Sequence, residues 1–372
     1  IEIPSSVDRI RKYSFFGCSS LQHIKIPSSL TQIKENAFNG CSSLTNIEIP
    51  TSVERIDQYA FLGCTSLTRV NILSSIITEI KENTFENCTS LIDIKIPNSV
   101  VEIGIKAFKG CTSLERIEIP SSITEIKENT FENCTSLIDI KIPTSITKIN
   151  DYAFYRCTNL AIIELPSTIK SIGKGAFMDC VSLLQFLIPS ELTTIENSTF
   201  YGCKSIEQIT IHSSIQKIED EAFKNCINLM EVLFEDQSSL YSIGQYAFSG
   251  CSSLMQIELP SSIINIDIGA FKNCASLQEI KLPLYLEEIK ECTFENCSSL
   301  TRILINNHVR QIGPYAFNCC IKLTEMTIPS FVKEIGIFAF YNCSSLKKLY
   351  VPEKLKIFNT GIIYSSVKRY NC

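Results

Sequence analysis

Apolar residues recur along this chain at fixed offsets from a cysteine that returns every 23 residues. The register runs Cys18, Cys41, Cys64, Cys88, Cys111, Cys134, Cys157, Cys180, Cys203, Cys226, Cys251, Cys274, Cys297, Cys320, Cys343, with one step of 24 and one of 25. Three residues before each stands Phe; three after it stands Leu, with Ile206 the one exception. Apolar residues follow six and eight after the cysteine, as in Ile24 and Ile26. Pro comes next, replaced only by Leu73, His212, Glu235 and Asn306. Further aliphatics such as Leu30 and Ile33 lie twelve and fifteen after the cysteine. Residues 78–97 and 124–143 are identical, which marks growth by duplication of units.

Each offset predicts an element. In Leu21-Gln22-His23-Ile24-Lys25-Ile26 the alternation turns Ile24 and Ile26 to one face, so this segment reads as a strand. Pro27 then ends the pairing, because it has no N–H to give. A unit of 23 residues cannot bury its own apolar face; neighbouring units must stack, with their strands side by side in a parallel sheet. The residue before each register cysteine is mostly Gly (Gly17, Gly40, Gly63) or Asn (Asn87, Asn133), as a left-handed corner requires. Before each Phe comes Ala, Thr or Ser, small enough to abut the next coil.

The unit Ile33-Lys34-Glu35-Asn36-Ala37-Phe38-Asn39-Gly40-Cys41-Ser42-Ser43-Leu44-Thr45-Asn46-Ile47-Glu48-Ile49-Pro50 closely resembles the leucine-rich repeat of BspA-like proteins, the treponemal type. The resemblance covers essentially the whole chain. It implies a leucine-rich repeat solenoid, a curved right-handed stack of about 15 repeats with a parallel β-sheet on its concave face. The family includes surface-exposed or secreted proteins of oral bacteria and anaerobic protists. Membership therefore implies non-catalytic adhesion or recognition, with host or partner proteins such as the matrix protein fibronectin as ligands. An intracellular protein-interaction scaffold of the same fold is the alternative. No catalytic residue is carried over.

The repeat changes how length and composition read. A chain of 372 residues would ordinarily hold two or three domains. Here residues 1–357 are expected to form one solenoid domain that starts mid-repeat, as a fragment of a longer protein would. Residues 358–372 would form a degenerate C-terminal capping repeat, with Ile363 at the Phe position, Ser366 at the Cys position and Arg369 at the Leu position. A net charge of −5 argues against a nucleic-acid binder. No apolar run approaches the ~20 residues of a membrane-spanning helix.

Fifteen of the 18 cysteines are one position copied. They could be buried thiols donating to a neighbouring carbonyl, disulfides, or metal ligands. Stacked equivalents lie ~4.8 Å apart, whereas disulfides bring Cβ atoms to about 3.8 Å, and tetrahedral zinc needs four convergent ligands. Geometry favours thiols. Cys292, Cys319 and Cys372 fall off the register and are expected to be accessible and oxidisable. The sequons at Asn87, Asn133, Asn197, Asn296 and Asn342 arise mostly from the repeat itself and say little about secretion.

Catalytic chemistry finds no support. His23, His212 and His308 occupy three different repeat positions, and no phosphate-binding, dinucleotide or nucleophile-elbow motif occurs. No cofactor or metal is expected. Binding is expected on the sheet, where positions five and seven past each cysteine face outward. From Asp93 to Lys141 charges of opposite sign alternate there, a lattice that would satisfy itself. Further on the charges thin out, and Ile162, Leu187 and Leu233 face outward with Gln185, Gln208 and Thr210 around them. This patch is the candidate protein-binding site; the alternative is ordinary scattered exposure of aliphatics. The extra residues near Ile76 and at Glu235-Asp236-Gln237 would bulge from the uniform surface.

Overall fold

The computed structural model describes residues 1–352, residue 355 and the backbone of residues 368–371. It divides into two compact units, Ile1–Glu191 and Leu192–Cys372. Each is a stack of coils whose strands pair in parallel. Among the described residues the regular structure is all strand.

The anticipated strand is present. In the first unit, Asn46–Ile49, Arg69–Ile72, Asp93–Ile94, Arg116–Glu118, Asp139–Lys141 and Ile162–Glu164 form one six-stranded sheet. Register pairs are equivalent repeat positions, such as Ile47 with Val70 and Ile140 with Ile163. In the second unit, Gln256–Ile257, Glu279–Lys281 and Arg302–Leu304 pair in the same way. Each coil also gives a second strand of two residues, such as Gln32–Ile33 and Arg55–Ile56, which pairs with its own equivalents. One recurring aliphatic per coil announces it, too little to show an alternation.

The core is a set of one-residue columns. Phe38, Cys41, Leu44 and Ile49 are completely buried, and so are their equivalents Phe108, Cys111 and Leu114. Successive Phe rings stack nearly parallel. Their centroids are 5.2–5.8 Å apart in the first unit and 5.3–5.7 Å in the second. Such offset stacking suits the ring quadrupole. The turns that carry these rings are hydrogen-bonded from coil to coil as well. Phe38 N–H donates to Ala60 O, and Gly40 N–H to Leu62 O, both at 2.8 Å. The columns thus bury apolar area without leaving the turn backbone unpaired.

The register cysteine completes the turn. The Phe38 carbonyl accepts the Cys41 N–H at 3.0 Å and, from the next coil, the Cys64 S–H at 3.2 Å. Equivalent S–H bonds recur at 3.0–3.3 Å, for example from Cys134 to Phe108 and from Cys297 to Phe271. A carbonyl has two lone pairs, and the thiol fills the second. Serine would offer a stronger donor, but at a greater cost of burial.

The corner before the cysteine is left-handed throughout, from Gly17 (φ 68°) to Asn342 (φ 57°). A second left-handed position lies five residues before each cysteine, and the sequence reading passed over it. Tyr13, Asn36, Lys106, Glu221 and Phe338 all have positive φ there. At Gly175 (φ 56°) the Tyr152 ring of the preceding coil lies where a Cβ would stand.

Three expectations need correction. Cys292, expected to be accessible, is only 9% exposed. It occupies the second left-handed position (φ 56°), and its thiol lies beside the Glu295 carboxylate. The coil of Cys180 forms no strand over residues 183–189, and residues 21–26, read above as a strand, give only an isolated parallel bridge from Lys25 to Glu2; Phe186 takes the usual Ile place in the Cys180 coil, its ring edge-on to Phe177 at 5.0 Å. At the C-terminal end Arg369 pairs with Leu349, six past Cys343, and not at the Leu position three past a cysteine. Ile363, Ser366 and Cys372 lie outside the described residues.

Candidate binding surface

The outward rows follow from the pleat. Strands such as Asn46–Ile49 and Gln208–Ile211 alternate exposed and buried, which leaves positions five and seven facing solvent. The six candidate residues divide between the units. In the first, Ile162 (54% exposed) lies on the last strand of the six-stranded sheet, while Gln185 and Leu187 (85% exposed) lie in the strandless coil. In the second, exposed Gln208 and Thr210 share a strand, and Thr210 pairs with Leu233, which is 40% exposed.

A further row was missed. Four residues past the cysteine, Ile92, Ile138, Leu184, Met230 and Met255 are all exposed. The other coils carry Thr, Glu, Gln or Lys there, apart from Ala161, so large aliphatics at a mostly polar position were the available signal. In the first unit this row runs through backbone bonds. Ala161 N–H donates to Ile138 O, and Leu184 N–H to Ala161 O. Ile138, Ala161 and Leu184 therefore stand side by side, with Ile162 next in sequence to Ala161.

The charged lattice differs from its expected form. Asp93, Arg116 and Asp139 are register neighbours, as are Glu118 and Lys141. Among the described residues none of these five closes an ion pair within 4.0 Å. Closed pairs lie mostly elsewhere, as in Lys109–Glu132 at 3.0 Å and Lys272–Glu295 at 2.7 Å. The alternating rows remain hydrated and free to meet a partner.

One constellation imitates a catalytic triad. His212 Nδ1 is 3.0 Å from Ser214 Oγ, and its Nε2 is 3.5 Å from Glu235 Oε2. Yet the Ser214 hydroxyl donates to Leu192 O at 2.6 Å, as Ser99 donates to Ile77 O and Ser262 to Leu240 O. His212 Nδ1 also accepts the Ser214 N–H. A nucleophile needs its proton directed at a base, and here the proton serves the scaffold. His23 lies beside Thr45, and His308 beside Tyr285.

The thiols are set against reactivity. Burial pushes Cys226 and Cys274 up to about 12, and lifts Cys88 and Cys134 well above the usual thiol range. At Cys292 burial and the Glu295 carboxylate push the thiol up to about 12. Cys18 is exposed, and Cys319 is half-buried against Asn318 and Asn342. Among the described residues no group of His, Cys, Asp and Glu side chains converges as a metal site. No helix among them is long and apolar enough to cross a membrane.

A family model for the BspA-type leucine-rich repeat region, with 6 copies, matches residues 1–100, 78–207, 170–297 and 241–368. A leucine-rich repeat protein from Bacteroides ovatus is 28% identical, with a TM-score of 0.72 over 92% of this chain and 88% of its own. A leucine-rich cell surface protein from Faecalibacterium prausnitzii is 27% identical, with a TM-score of 0.54 over 94% and 89%. The pneumococcal vaccine antigen PcpA shares the fold at 20% identity and a TM-score of 0.53, over 92% and 79%. A search of curated proteins gives no significant match.

Proposed function

This chain belongs to the BspA-type leucine-rich repeat family, and we propose that it is a non-catalytic recognition protein, displayed at a cell surface or secreted. It is a protein-binding scaffold that holds host or partner proteins, extracellular-matrix proteins such as fibronectin among them. The observation that carries this reading is where the repeat is broken. Buried columns are nearly invariant, while aliphatics stand exposed at otherwise polar positions: Ile138, Ile162, Leu184 and Leu187 in the first unit, and Leu233 with Thr210 and Gln208 in the second. Exposed apolar surface rimmed by polar groups suits protein contact. The similar cell surface protein from Faecalibacterium prausnitzii supports the location. An intracellular interaction scaffold is the second reading, favoured by the free thiols.

The test is surface plasmon resonance against immobilised fibronectin and a panel of other matrix proteins. Ile162→Asp with Leu187→Asp, and separately Leu233→Asp, should weaken binding about thirtyfold by placing a carboxylate in an apolar contact. The unfolding free energy from urea titration should stay within about 0.5 kcal/mol of the parent. Parent protein that binds no member of the panel, or variants that bind as tightly, would overturn the proposal.

A further inference from the structure

The scaffold reading leaves open what chemistry a partner brings, and the second unit gives one answer. Two cavities of about 540 and 530 Å³ lie on the outer side of its long-strand sheet and share Gln256 and Glu279, so they form one groove. Each is within the ~300–1,000 Å³ of ordinary ligand sites. At one end the walls are Met230 and Met255, 39% and 46% exposed; at the other they are Leu284 and Leu304, 50% and 41% exposed.

Between these apolar ends the lining is acidic. Glu231, Glu258 and Glu279 face a single ammonium, that of Lys281. Glu279 pairs with Arg302 at 3.3 Å, but both side chains are more than half exposed, and such a pair is worth little. Glu258 closes no ion pair among the described residues. With Arg302 counted, the three carboxylates meet two cations, which leaves one surplus negative charge, nearest the unpaired Glu258, between two hydrophobic walls, and methionine walls adapt to varied side chains.

We infer that this groove docks an extended segment of a partner protein carrying a cationic side chain between aliphatic ones. The inference rests on the reading of the chain as a protein-recognition scaffold, and it names the partner's chemistry. The cation sits among Glu258, Glu279 and Glu231, and its aliphatic neighbours cover the Met230/Met255 and Leu284/Leu304 walls. Lining positions run from four (Met255) to ten (Leu284) residues past a register cysteine. A segment lying along the coil is therefore about seven residues long.

The probe is a seven-residue peptide, blocked at both ends, with arginine at its centre and leucine at each end. Its counterpart carries glutamate at the centre. Titration calorimetry should show the arginine peptide binding at least about tenfold more tightly than the glutamate peptide. Glu258→Gln with Glu279→Gln should weaken the arginine peptide about tenfold, as loss of charge-assisted bonds does. Leu284→Asp should weaken it too, by breaking an apolar wall. Ile162→Asp with Leu187→Asp should leave it unchanged, so failure of the matrix-protein test and failure here are separate results. All variants lie on the surface and should keep the parent urea midpoint. No arginine-peptide binding at millimolar concentration, equal affinity for both peptides, or indifference to the double glutamine variant would overturn the inference.

Discussion

Raising the pH from 8 to 10 is expected to unfold the protein cooperatively. The cause is the cysteine register. An exposed thiol titrates near ~8.5, whereas burial pushes Cys226 and Cys274 up to about 12 and carries Cys88, Cys134 and Cys157 far above the usual range. The native state keeps these protons while the unfolded chain releases them. The stabilisation is therefore complete below the unfolded thiol value and is lost as pH rises toward the folded one. Each thiol removes ~1.4 kcal/mol per pH unit above ~8.5. The first unit buries seven of them, Cys41, Cys64, Cys88, Cys111, Cys134, Cys157 and Cys180. One pH unit above the unfolded value the loss is ~10 kcal/mol, comparable to the whole stability of a domain. Circular dichroism against pH should show a midpoint between about 9 and 10. Cys111→Ser with Cys134→Ser should reduce the slope by ~2.8 kcal/mol per pH unit. Stability that stays flat to about pH 11 would contradict this account of the thiols.

The second large effect is in the aromatic column. Phe108 is fully buried, with Phe85 and Phe131 at 5.6 and 5.8 Å on either side. Phe108→Ala opens a cavity in a column that cannot close, because the coil spacing is fixed by backbone bonds such as Phe108 N–H to Thr130 O. The expected loss is about 3–5 kcal/mol. Phe108→Leu, nearer in volume, should cost under about 1.5 kcal/mol if the column repacks. Leu187→Ala, at a site 85% exposed, should change stability by less than about 0.5 kcal/mol. Urea midpoints measure all three, and a Phe108→Ala loss below about 1 kcal/mol would contradict the column's role.

The columns were legible because stacking allows one side chain per slot. Phe38, Cys41, Leu44 and Ile49 recur in type as well as in position, and so announce a strand, a turn and a buried thiol. The second left-handed position was not legible, because Tyr13, Asn36, Lys106, Glu221 and Cys292 share a backbone conformation and no side-chain chemistry. Cys292 was misplaced for that reason: its nearness to Phe294 in sequence suggested a loop, whereas this short side chain is buried at a position where the larger Tyr13 and Phe338 reach solvent. The charged rows were legible in register but not in contact, since neighbouring charges such as Asp93 and Arg116 gain little by closing in water. Outward positions of the candidate patch followed from the pleat. The row with Ile138 and Leu184 escaped because it precedes the alternating segment. The groove between Met255 and Leu284 joins offsets from different coils, which no single repeat contains.

The pH prediction rests on one property of the molecule. From Cys41 to Cys320 the register cysteines are buried free thiols with a structural role. Thiol titration with and without denaturant tests this most directly. In guanidinium, without reductant, close to all 18 cysteines should react; in the native protein at neutral pH only the exposed or half-buried ones, such as Cys18, Cys319 and Cys343, should react promptly. About twelve reactive thiols or fewer in denaturant, equivalent to three or more disulfides, would contradict it.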